Sequence, residues 1–398
     1  MPIPDILSNL HTPCFIFDED ELNSNISSFQ SSLRIQWSDK ARLAYSVKTN
    51  PLPWILRKVQ SMDGMAETVS DEEYLLALNT GFSAENIIFN GPVKGRRCFE
   101  YALMHGSIVN IDSHRELAWA KELAKETNMP INIGVRVNFE LESYCPGETA
   151  TGPDHGRFGF SYENGDLASV IENLSLVDNL HVVGLHMHIG SKSRSIRVYR
   201  TIARQALRII KENQMLDDIR YIDMGGGYYG GGEKNQGAYQ QYAKAISQEL
   251  SKLCDPHKVS LYVEPGGAII CTPGYYLGKV VDVKEVAETR FVVTELSRVN
   301  IDFAWRKNSY VHSLFAKATN THHRQVICGS SCMEADRLCI LHDELELQQN
   351  DMILIHNAGA YTMSFTPSFF IKYPPAVYSY NKTDGFTLIR KPFIVELR

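Results

Sequence analysis

The sequence lacks the features that would place this chain in a membrane. It contains no apolar run of about 18 residues, the shortest stretch expected to span a bilayer as a helix. The start of the chain, from Met1 to Asp5, also lacks the basic segment and apolar core of a secretory signal. We therefore expect a cytoplasmic protein with no membrane partner.

Paired or clustered cysteines are absent as well, although the chain has 8 of them. They stand at positions 14, 98, 145, 254, 271, 328, 332 and 339, with no C-x-x-C spacing and no regular framework. This pattern indicates reduced thiols rather than disulfides or a zinc site. Basic residues are not in excess either, since the net charge is -6, which argues against nucleic acid as the main partner.

The composition is that of an ordinary globular protein, with 44% hydrophobic and 22% charged residues. At 398 residues the chain is long enough for two domains. Between Arg42 and Gly266, apolar strand patterns alternate with amphipathic helix patterns about eight times, joined by short connections. This α/β alternation favours a closed (β/α)8 TIM-like barrel over an open doubly wound sheet.

Beyond Gly266 the pattern changes, because the remaining segments are β-rich and have no crossover helices. They predict a second domain, an antiparallel β-sandwich, which the strand pattern at 12–18 joins from the other end of the chain. We place the barrel at residues 28–266 and the β-sandwich domain at residues 1–27 and 267–398. No internal repeat and no low-complexity linker marks the boundary.

A lysine at the end of an apolar strand is the residue around which we interpret the chain. The stretch 44–51, AYSVKTNP, alternates apolar and small residues up to Lys48, and Pro51 ends the strand. Barrels place reactive groups at the carboxyl ends of their strands. A lysine there, partly withdrawn from water, has a lowered pKa and can form a Schiff base with an aldehyde. From this stretch alone, a surface lysine remains the alternative.

Two further strand ends carry groups suited to a planar cofactor with a phosphate. In H-M-H-I-G-S, residues 186–191, both histidines lie on one face of the strand, and no cysteine or carboxylate stands at zinc spacing. We therefore expect one ring to stack on a planar cofactor, with Ser191 donating to its phosphate. Another strand is followed by Gly225, Gly226 and Gly227, whose bare amides either bind a phosphate or form a flexible turn.

Glu264, in the E-P-G of residues 264–266, places a carboxylate at the end of the last barrel strand. A buried carboxylate there needs a cationic partner. A protonated pyridine nitrogen is such a partner, and keeping that nitrogen protonated makes the ring an electron sink. A structural salt bridge is the alternative.

Taken together, these segments resemble the fold-type III decarboxylases that use pyridoxal 5'-phosphate (PLP), the family of diaminopimelate, ornithine and arginine decarboxylases. The resemblance covers essentially the whole chain. Its motifs are Y-x-x-K-x-N at 45–50, Glu67 with Val69, Ser70 and Glu73, R-F-G at 157–159, H-x-H-I-G-S, G-G-G, E-P-G, C-x-x-x-D at 332–336 and G-A-Y at 359–361. The resemblance implies an alanine racemase-like fold, in which a barrel is combined with a β-sandwich domain.

The resemblance also implies a cofactor, PLP, and a role for each matching residue. Lys48 would hold PLP covalently, His188 would stack on its ring, and Glu264 would pair with the pyridine nitrogen. The other cofactor-binding residues would be Glu67, Ser191, Gly225, Gly226, Gly227 and Tyr361, and the substrate-binding residues would be Arg157, Arg306, Tyr310, Asp336 and Tyr361. In a head-to-tail homodimer, Cys332 and Asp336 would enter the other subunit's site, the thiol as a proton donor and the carboxylate toward a substrate amine. We predict no metal ligands.

Two residues depart from the diaminopimelate enzymes of this family. Gly267 stands where those enzymes usually carry an arginine that grips the far carboxylate of the substrate, and Met333 stands where they carry a glutamate. Arg306 and Tyr310 keep the spacing of the family's R-x-x-x-Y substrate motif. Since a site that hydrogen-bonds a substrate group discriminates strongly for that group, the loss of these two recognition residues makes diaminopimelate a poor first candidate. We therefore predict a modified or larger amino acid from secondary metabolism. One example is a 3-amino-3-carboxypropyl conjugate decarboxylated to aminopropyl in antibiotic or siderophore maturation; the alternative is diaminopimelate decarboxylation in lysine biosynthesis.

Two other functions are compatible with the same fold. An amino-acid racemase would share the barrel and the lysine but would carry arginine in place of Glu264. A decarboxylase-like regulator would have lost PLP, which the presence of Lys48, His188 and Cys332 argues against. The polar loop 140–155 is long for a segment without regular structure, which is typical of a lid or a disordered tip, and we favour a lid.

Overall fold

The computed structural model describes residues 7, 9–152, 154–232, 235, 237–302, 304–307, 309–363 and 374–392. Its strands are β1 (Cys14–Asp18), β2 (Ala41–Ser46), β3 (Met65–Thr68), β4 (Ile87–Phe89), β5 (Ile108–Ile111), β6 (Ile131–Asn138), β7 (Phe160–Ser161), β8 (Leu180–His186), β9 (Tyr221–Asp223), β10 (Ser260–Val263), β11 (Gly274–Val286), β12 (Thr289–Thr294), β13 (His312–Phe315), β14 (Thr321–Cys328), β15 (Arg337–Leu345), β16 (Met352–Ile355), β17 (Ala376–Asn381) and β18 (Gly385–Arg390).

The helices are α1 (Glu19–Gln36), α2 (Pro53–Ser61), α3 (Asp71–Asn79), α4 (Arg96–Met104), α5 (His114–Glu126), α6 (Asp166–Ser175), α7 (Ile196–Glu212), α8 (Gly237–Leu250), α9 (Gly267–Ile270) and α10 (Arg298–Ile301). Short 3₁₀ turns lie at Val47–Thr49, Ala84–Asn86 and Leu141–Ser143. None of the helices among the described residues is both long and apolar enough to cross a bilayer. The cytoplasmic location stays a prediction.

The barrel predicted from the alternating pattern is present and closed. Its strands run in the order β2, β3, β4, β5, β6, β8, β9 and β10, every pairing is parallel, and β10 pairs with β2 to close the ring. The short β7 pairs with β6 in addition. Residues of β3 and β4 are buried throughout, as expected for strands covered on both faces.

Two of the turns between a barrel strand and its helix are built alike. Ser70 caps α3 and Ser113 caps α5, each accepting a hydrogen bond from the backbone of the glutamate three residues later. The second of these glutamates, Glu116, lies 2.9 Å from Nζ of Lys94, and both side chains are 0% exposed. Because a buried charge needs a partner, this ion pair ties the loop after β4 to the start of α5 and holds the neighbouring strand ends in place.

The chain divides into two compact units. One contains residues 24–269 and the barrel, and is called the barrel unit; the other contains residues 1–23 and 270–398 and is called the β unit. The domain boundaries predicted from the sequence are residues 28 and 266, and that assignment stays a prediction.

The β unit contains a mixed sheet with the order β15, β14, β12, β11, β1, β17 and β18, while β16 pairs with both β11 and β13. Most pairings are antiparallel, as predicted, but β1 pairs parallel with β17, and β12 pairs parallel with β14. The first exception arises because β1 comes from the other end of the chain and is therefore not joined to its neighbours by hairpins. Its residues Cys14 and Ile16 are fully buried and pack in one cluster with Leu277 and Leu354.

Candidate active site

Polar side chains from several strands meet at the carboxyl end of the barrel. They are Lys48 after β2, Glu67 in β3, Asn90 after β4, His186 at the end of β8, Asp223 at the end of β9 and Glu264 after β10. Because the barrel strands are parallel, their carboxyl ends share one face, where barrel enzymes place reactive groups. The structure thus brings together residues that are up to about two hundred positions apart in the chain.

The amine of Lys48 faces a buried carboxylate. Its Nζ lies 2.9 Å from Oε2 of Glu67, which also accepts a 2.6 Å hydrogen bond from Oγ of Ser46. The Glu67 side chain is 1% exposed, whereas the Lys48 side chain is 39% exposed. The lysine therefore extends from a fixed anion toward open space, where its amine is accessible to a small molecule.

Glu264 is the second buried carboxylate, with its side chain 3% exposed. Its Oε1 accepts a 2.6 Å hydrogen bond from Nδ2 of Asn90 and lies 3.5 Å from Nε2 of His186. Burial lowers the pKa of His186 well below its ordinary value, so this imidazole is neutral and does not compensate the carboxylate. Within the described part of the chain, neither ring nitrogen of His186 forms a hydrogen bond.

Asp223 lies beside Glu264 and accepts a 2.9 Å hydrogen bond from the amide of Gly225. Burial, followed by the charge of Glu264, raises the pKa of Asp223 well above its ordinary value. Two carboxylates this close in an apolar setting do not both ionise, and the direction of the shift places the proton on Asp223.

This set of groups fits the pyridine ring of PLP. The charged Glu264 needs a buried cation, and a protonated pyridine nitrogen is one. Both ring nitrogens of His186 are buried and have no hydrogen-bond partner among the described residues. Native proteins seldom leave such atoms unpaired, which indicates that a polar ligand occupies this place.

His188 presents a flat, uncharged ring beside these carboxylates. Its Nδ1 accepts a 2.9 Å hydrogen bond from the amide of Gly226, so the proton of the neutral ring is on Nε2. Burial and, after it, the positive charge of Arg136 lower the pKa of His188 to about 3. The ring is nearly parallel to that of His186, with 19° between the two planes. A neutral ring in this place is suited to stacking on a planar cofactor.

The glycine loop approaches His188 so closely that a side chain would not fit. A Cβ on Gly225, whose φ is +69°, would lie 2.4 Å from Cβ of His188. The amides of Gly225 and Gly226 donate to Asp223 and His188, so Gly227 has the one amide of the three that donates to no described residue. Of the three, only the Gly227 amide is therefore left for a phosphate by the described residues, and phosphate binding by all three glycines stays a prediction.

A cavity of about 1020 Å³ lies over Lys48 and Glu264. Its wall includes Arg157 and most of the loop 138–158, which is polar as the sequence indicates. This loop is tied to the segment after β8, because Thr149 pairs with Ser191 and the amide of Ala150 donates to the carbonyl of Gly190. The loop forms one side of the cavity, and its action as a lid stays a prediction.

Ser191 and Arg157, two of the predicted site residues, have contacts inside the barrel unit. Oγ of Ser191 donates to the carbonyl of Glu148 at 3.0 Å. The exposed guanidinium of Arg157 lies over the ring of Phe158, 4.1 Å from its centre, and Arg136 lies over the same ring at 4.5 Å. Arg136, which is buried and lines the cavity, was not singled out from the sequence.

His186, Asp223 and Glu264 also bring three potential metal-ligand atoms within 4.8 Å of one another. No carboxylate stands at zinc spacing in the sequence, because the two carboxylates come from β9 and from the residue after β10, far along the chain from the histidines. The absence of metal ligands stays a prediction, since a bound cation would itself displace the proton of Asp223.

Two predicted residues of the β unit lie in the loop between β14 and β15. Cys332 is exposed, whereas Asp336 is buried. The Asp336 carboxylate accepts hydrogen bonds from Oγ of Ser297 at 2.8 Å, from the amide of Arg298 at 2.9 Å and from the amide of Ser331 at 3.0 Å. Asp336 thus anchors the loop that presents Cys332, and its role toward a substrate amine stays a prediction.

The remaining predicted residues, Arg306, Tyr310 and Tyr361, also belong to the β unit. Tyr310 is buried, and its hydroxyl donates to Oδ2 of Asp302 at 3.3 Å, while the Arg306 side chain is exposed. Burial raises the pKa of Tyr310. Tyr361 is exposed and has a left-handed backbone with φ of 56°, a conformation that costs energy in a tyrosine and is common at functional sites.

Sequence reasoning missed Asn90, Asp223 and Arg136 as members of the site. Asn90 and Asp223 directly follow or end strands, so their positions at strand ends were the available signal. The signal for Arg136 was weaker, since it is the one charged residue in β6. None of the three has a motif of its own that distinguishes it from an ordinary polar residue.

Comparison with known proteins gives consistent results for the whole chain. The model of a family described as pyridoxal-dependent decarboxylase, pyridoxal binding domain, matches residues 19–271. A diaminopimelate decarboxylase from Zymomonas mobilis is 26% identical over 364 residues, covering 91% of this chain and 86% of the relative. A diaminopimelate decarboxylase from Methanocaldococcus jannaschii is 25% identical over 398 residues, covering 97% of this chain and 90% of the relative.

Solved structures are similar over nearly the full length. The crystal structure of the M. jannaschii diaminopimelate decarboxylase has a TM-score of 0.85 at 23% identity and covers 98% of this chain and 92% of its own. A lysine decarboxylase from Selenomonas ruminantium has a TM-score of 0.77 at 18% identity and covers 96% of this chain and 97% of its own. At these identities the similarity shows the fold, and the predicted combination of a barrel with a β-sandwich domain is confirmed.

We expect the imidazole of His188 to remain neutral in the cofactor-free protein from about pH 5 to pH 8, because its pKa lies near 3. A histidine whose folded-state pKa is depressed contributes stability that is present above the unfolded value and is lost as the pH falls toward 3. The measurement is a pH series of ring-nitrogen NMR spectra, with His188→Gln assigning the signal. The same protein in urea serves as the control, and a midpoint above pH 5 in the folded protein would contradict the expectation.

Proposed function

The chain belongs to the pyridoxal-dependent decarboxylase family, and from this premise we propose that it removes CO₂ from the α-carboxylate of a diamino acid, with diaminopimelate as the first candidate. The observation that supports this most is the arrangement of Lys48 and Glu264. An accessible amine held by one buried carboxylate lies at the same strand ends as a second buried carboxylate, which needs a cation.

In this proposal each group of the site has one task. Bound PLP supplies an electron sink for the carbon that loses CO₂. Lys48 provides the amine that holds the cofactor, and Glu67 keeps that amine in position. Glu264 keeps the proton on the pyridine nitrogen, while protonated Asp223 adds no second negative charge. The neutral ring of His188 covers the face of the cofactor without competing for that proton.

Diaminopimelate is favoured because the relatives at 26% and 25% identity are named diaminopimelate decarboxylases and cover most of the chain. This reverses the order of the two substrates inferred from the sequence. A larger, conjugated amino acid stays the second candidate on one observation. A Cβ on Gly267 would meet no atom within 4 Å, so there is open space where the family's arginine would stand.

We further propose that the active form is a homodimer in which the partner subunit's Cys332 completes each site. Cys332 is exposed on a loop anchored by Asp336, a placement that suits contact with another chain. Its thiol would donate the proton that replaces CO₂ on the α-carbon, a step for which a positioned acid contributes about 10²–10⁴-fold in rate. Arg157, Arg306, Tyr310 and Tyr361 are proposed to bind the substrate, with Tyr361 also near the phosphate.

The other functions considered have less support. A racemase on this fold would need an uncharged pyridine, and the negative charge on Glu264 favours a protonated one. A regulator without cofactor would have no use for an accessible lysine paired to a buried glutamate.

The first test is the loss of cofactor and activity in Lys48→Ala. We expect the wild-type protein to bind PLP with visible absorbance and to release CO₂ from diaminopimelate, and Lys48→Ala to lose both. Lys40→Ala, which removes an exposed lysine just before β2, is the matched control and should behave as wild type. A Lys48→Ala protein with unchanged absorbance and activity would refute the role of Lys48.

The second test addresses the shared site. Lys48→Ala and Cys332→Ala should each have little activity, because each lacks one group of every site. After the two are unfolded together and refolded, random pairing should restore about a quarter of the wild-type activity, since half the dimers contain one intact site. Absence of any recovery, with dimers present by light scattering, would exclude a site completed by the partner subunit.

The third test compares the two substrates. CO₂ release should be faster from diaminopimelate than from a conjugate in which a 3-amino-3-carboxypropyl group is attached to a nucleotide or peptide. Gly267→Arg, which fills the open space, should reduce turnover of the conjugate more than turnover of diaminopimelate. If the wild type prefers the conjugate and Gly267→Arg abolishes that preference, the second candidate replaces the first.

A further inference from the structure

Asn90 connects the two carboxylates on which the site is built. Its side chain follows β4 and is 1% exposed. The same nitrogen, Nδ2, lies 2.6 Å from Oε1 of Glu264 and 3.2 Å from Oε1 of Glu67. One amide therefore contacts both the anion that pairs with Lys48 and the anion proposed to pair with the cofactor.

The orientation of this amide is set by two further residues deeper in the barrel. Oδ1 of Asn90 accepts a 2.9 Å hydrogen bond from Nδ2 of Asn110, and Oδ1 of Asn110 accepts a 2.8 Å hydrogen bond from the hydroxyl of Tyr221. An amide has a donating end and an accepting end. Because the amide oxygen of Asn90 accepts from Asn110 and the amide oxygen of Asn110 accepts from Tyr221, the NH₂ group of Asn90 must point at the carboxylates.

Two paired glycines on neighbouring strands make room for the ring of Tyr221, which begins this chain of hydrogen bonds. A Cβ on Gly134 of β6 would lie 2.1 Å from the hydroxyl oxygen of Tyr221, and a Cβ on Gly184 of β8 would lie 2.0 Å from the ring carbon that bears it. Real Cβ atoms do not approach so closely, so only glycine fits at either position. Glycines at these two barrel positions therefore make the space that Tyr221 needs to reach Asn110 and set the direction of the hydrogen bonds.

We propose that Asn90 is a positioning residue that holds Glu67 and Glu264 in one fixed arrangement, with its amide turned toward them by Asn110 and Tyr221. An amide suits this task because it can donate one hydrogen to each carboxylate and does not change charge with pH. A lysine or a protonated histidine here would neutralise Glu264, and a third carboxylate would repel it. The inference rests on the proposed function, since it assigns Glu264 to the cofactor.

The experiment compares three variants by PLP titration of the cofactor-free protein. In Asn90→Ala the affinity for PLP should fall about tenfold or more, because hydrogen bonds to charged groups are lost. The ratio of the absorbance bands of bound PLP should also change, since Glu264 is no longer held in place. Tyr221→Phe keeps the shape of the ring and removes only the hydroxyl, so it should change both readouts in the same direction by a smaller factor.

Gln30→Ala is the matched control for the loss of a buried amide. Gln30 donates to the carbonyl of Ala41 at 2.8 Å and accepts from the amide of Leu43 at 2.9 Å, both in β2, and it contacts neither carboxylate. The Gln30→Ala substitution should lower the melting temperature of the cofactor-free protein without changing the affinity for PLP or the absorbance ratio. A merely structural role for Asn90 would give the same result as this control.

An Asn90→Ala protein that binds PLP within about twofold of the wild type, with the same absorbance ratio, would overturn the proposal. If Asn90→Ala does not fold, Tyr221→Phe decides, and an unchanged affinity in that variant is equally decisive against it. Failure of the proposed function is distinguishable, because it would appear in the wild type as no release of CO₂ from diaminopimelate. A wild-type protein that does not take up PLP would refute the role assigned to Asn90 as well.

Discussion

Three carboxyl groups lie buried at the carboxyl end of the barrel, and the other groups of the site are arranged to limit the charge repulsion among them. Glu67, Asp223 and Glu264 are all buried, and three negative charges so close together would be very costly. Each carboxyl group is stabilised in a different way. Glu67 pairs with the amine of Lys48, Asp223 keeps its proton, and Glu264 accepts a hydrogen bond from Asn90 and lies against the protonated Asp223.

This distribution of charge explains why the neighbouring groups are neutral. His186 and His188 both have lowered pKa values, so neither competes with a cofactor for the charge of Glu264. Asn90 binds two of the carboxylates without adding charge. A site arranged this way is incomplete by itself, and a pyridinium ring is the kind of group that completes it.

The β unit uses the same principle for a structural purpose. Asp336 and Asp302 are buried and accept hydrogen bonds from nearby amides and side chains, which fixes the segments that carry Cys332 and Tyr310. Their carboxylates are thus occupied within the unit, in contrast to Glu264. Cys332 and Arg306, the predicted site residues on these segments, are exposed.

The barrel and the strand-end positions of Lys48, His188 and Glu264 could be predicted from the sequence, because alternation of strands and helices, and the residues that end a strand, are local properties. Which of these groups are in contact could not be predicted, because contact depends on how the ring of strands closes. Asn90 and Asp223 carry no motif, and they belong to the site because closing the ring brings β4, β9 and β10 to one face. Charge is likewise not local, since the pKa of Asp223 is raised first by burial in the folded barrel and then by the charge of Glu264, which lies 41 positions later in the chain.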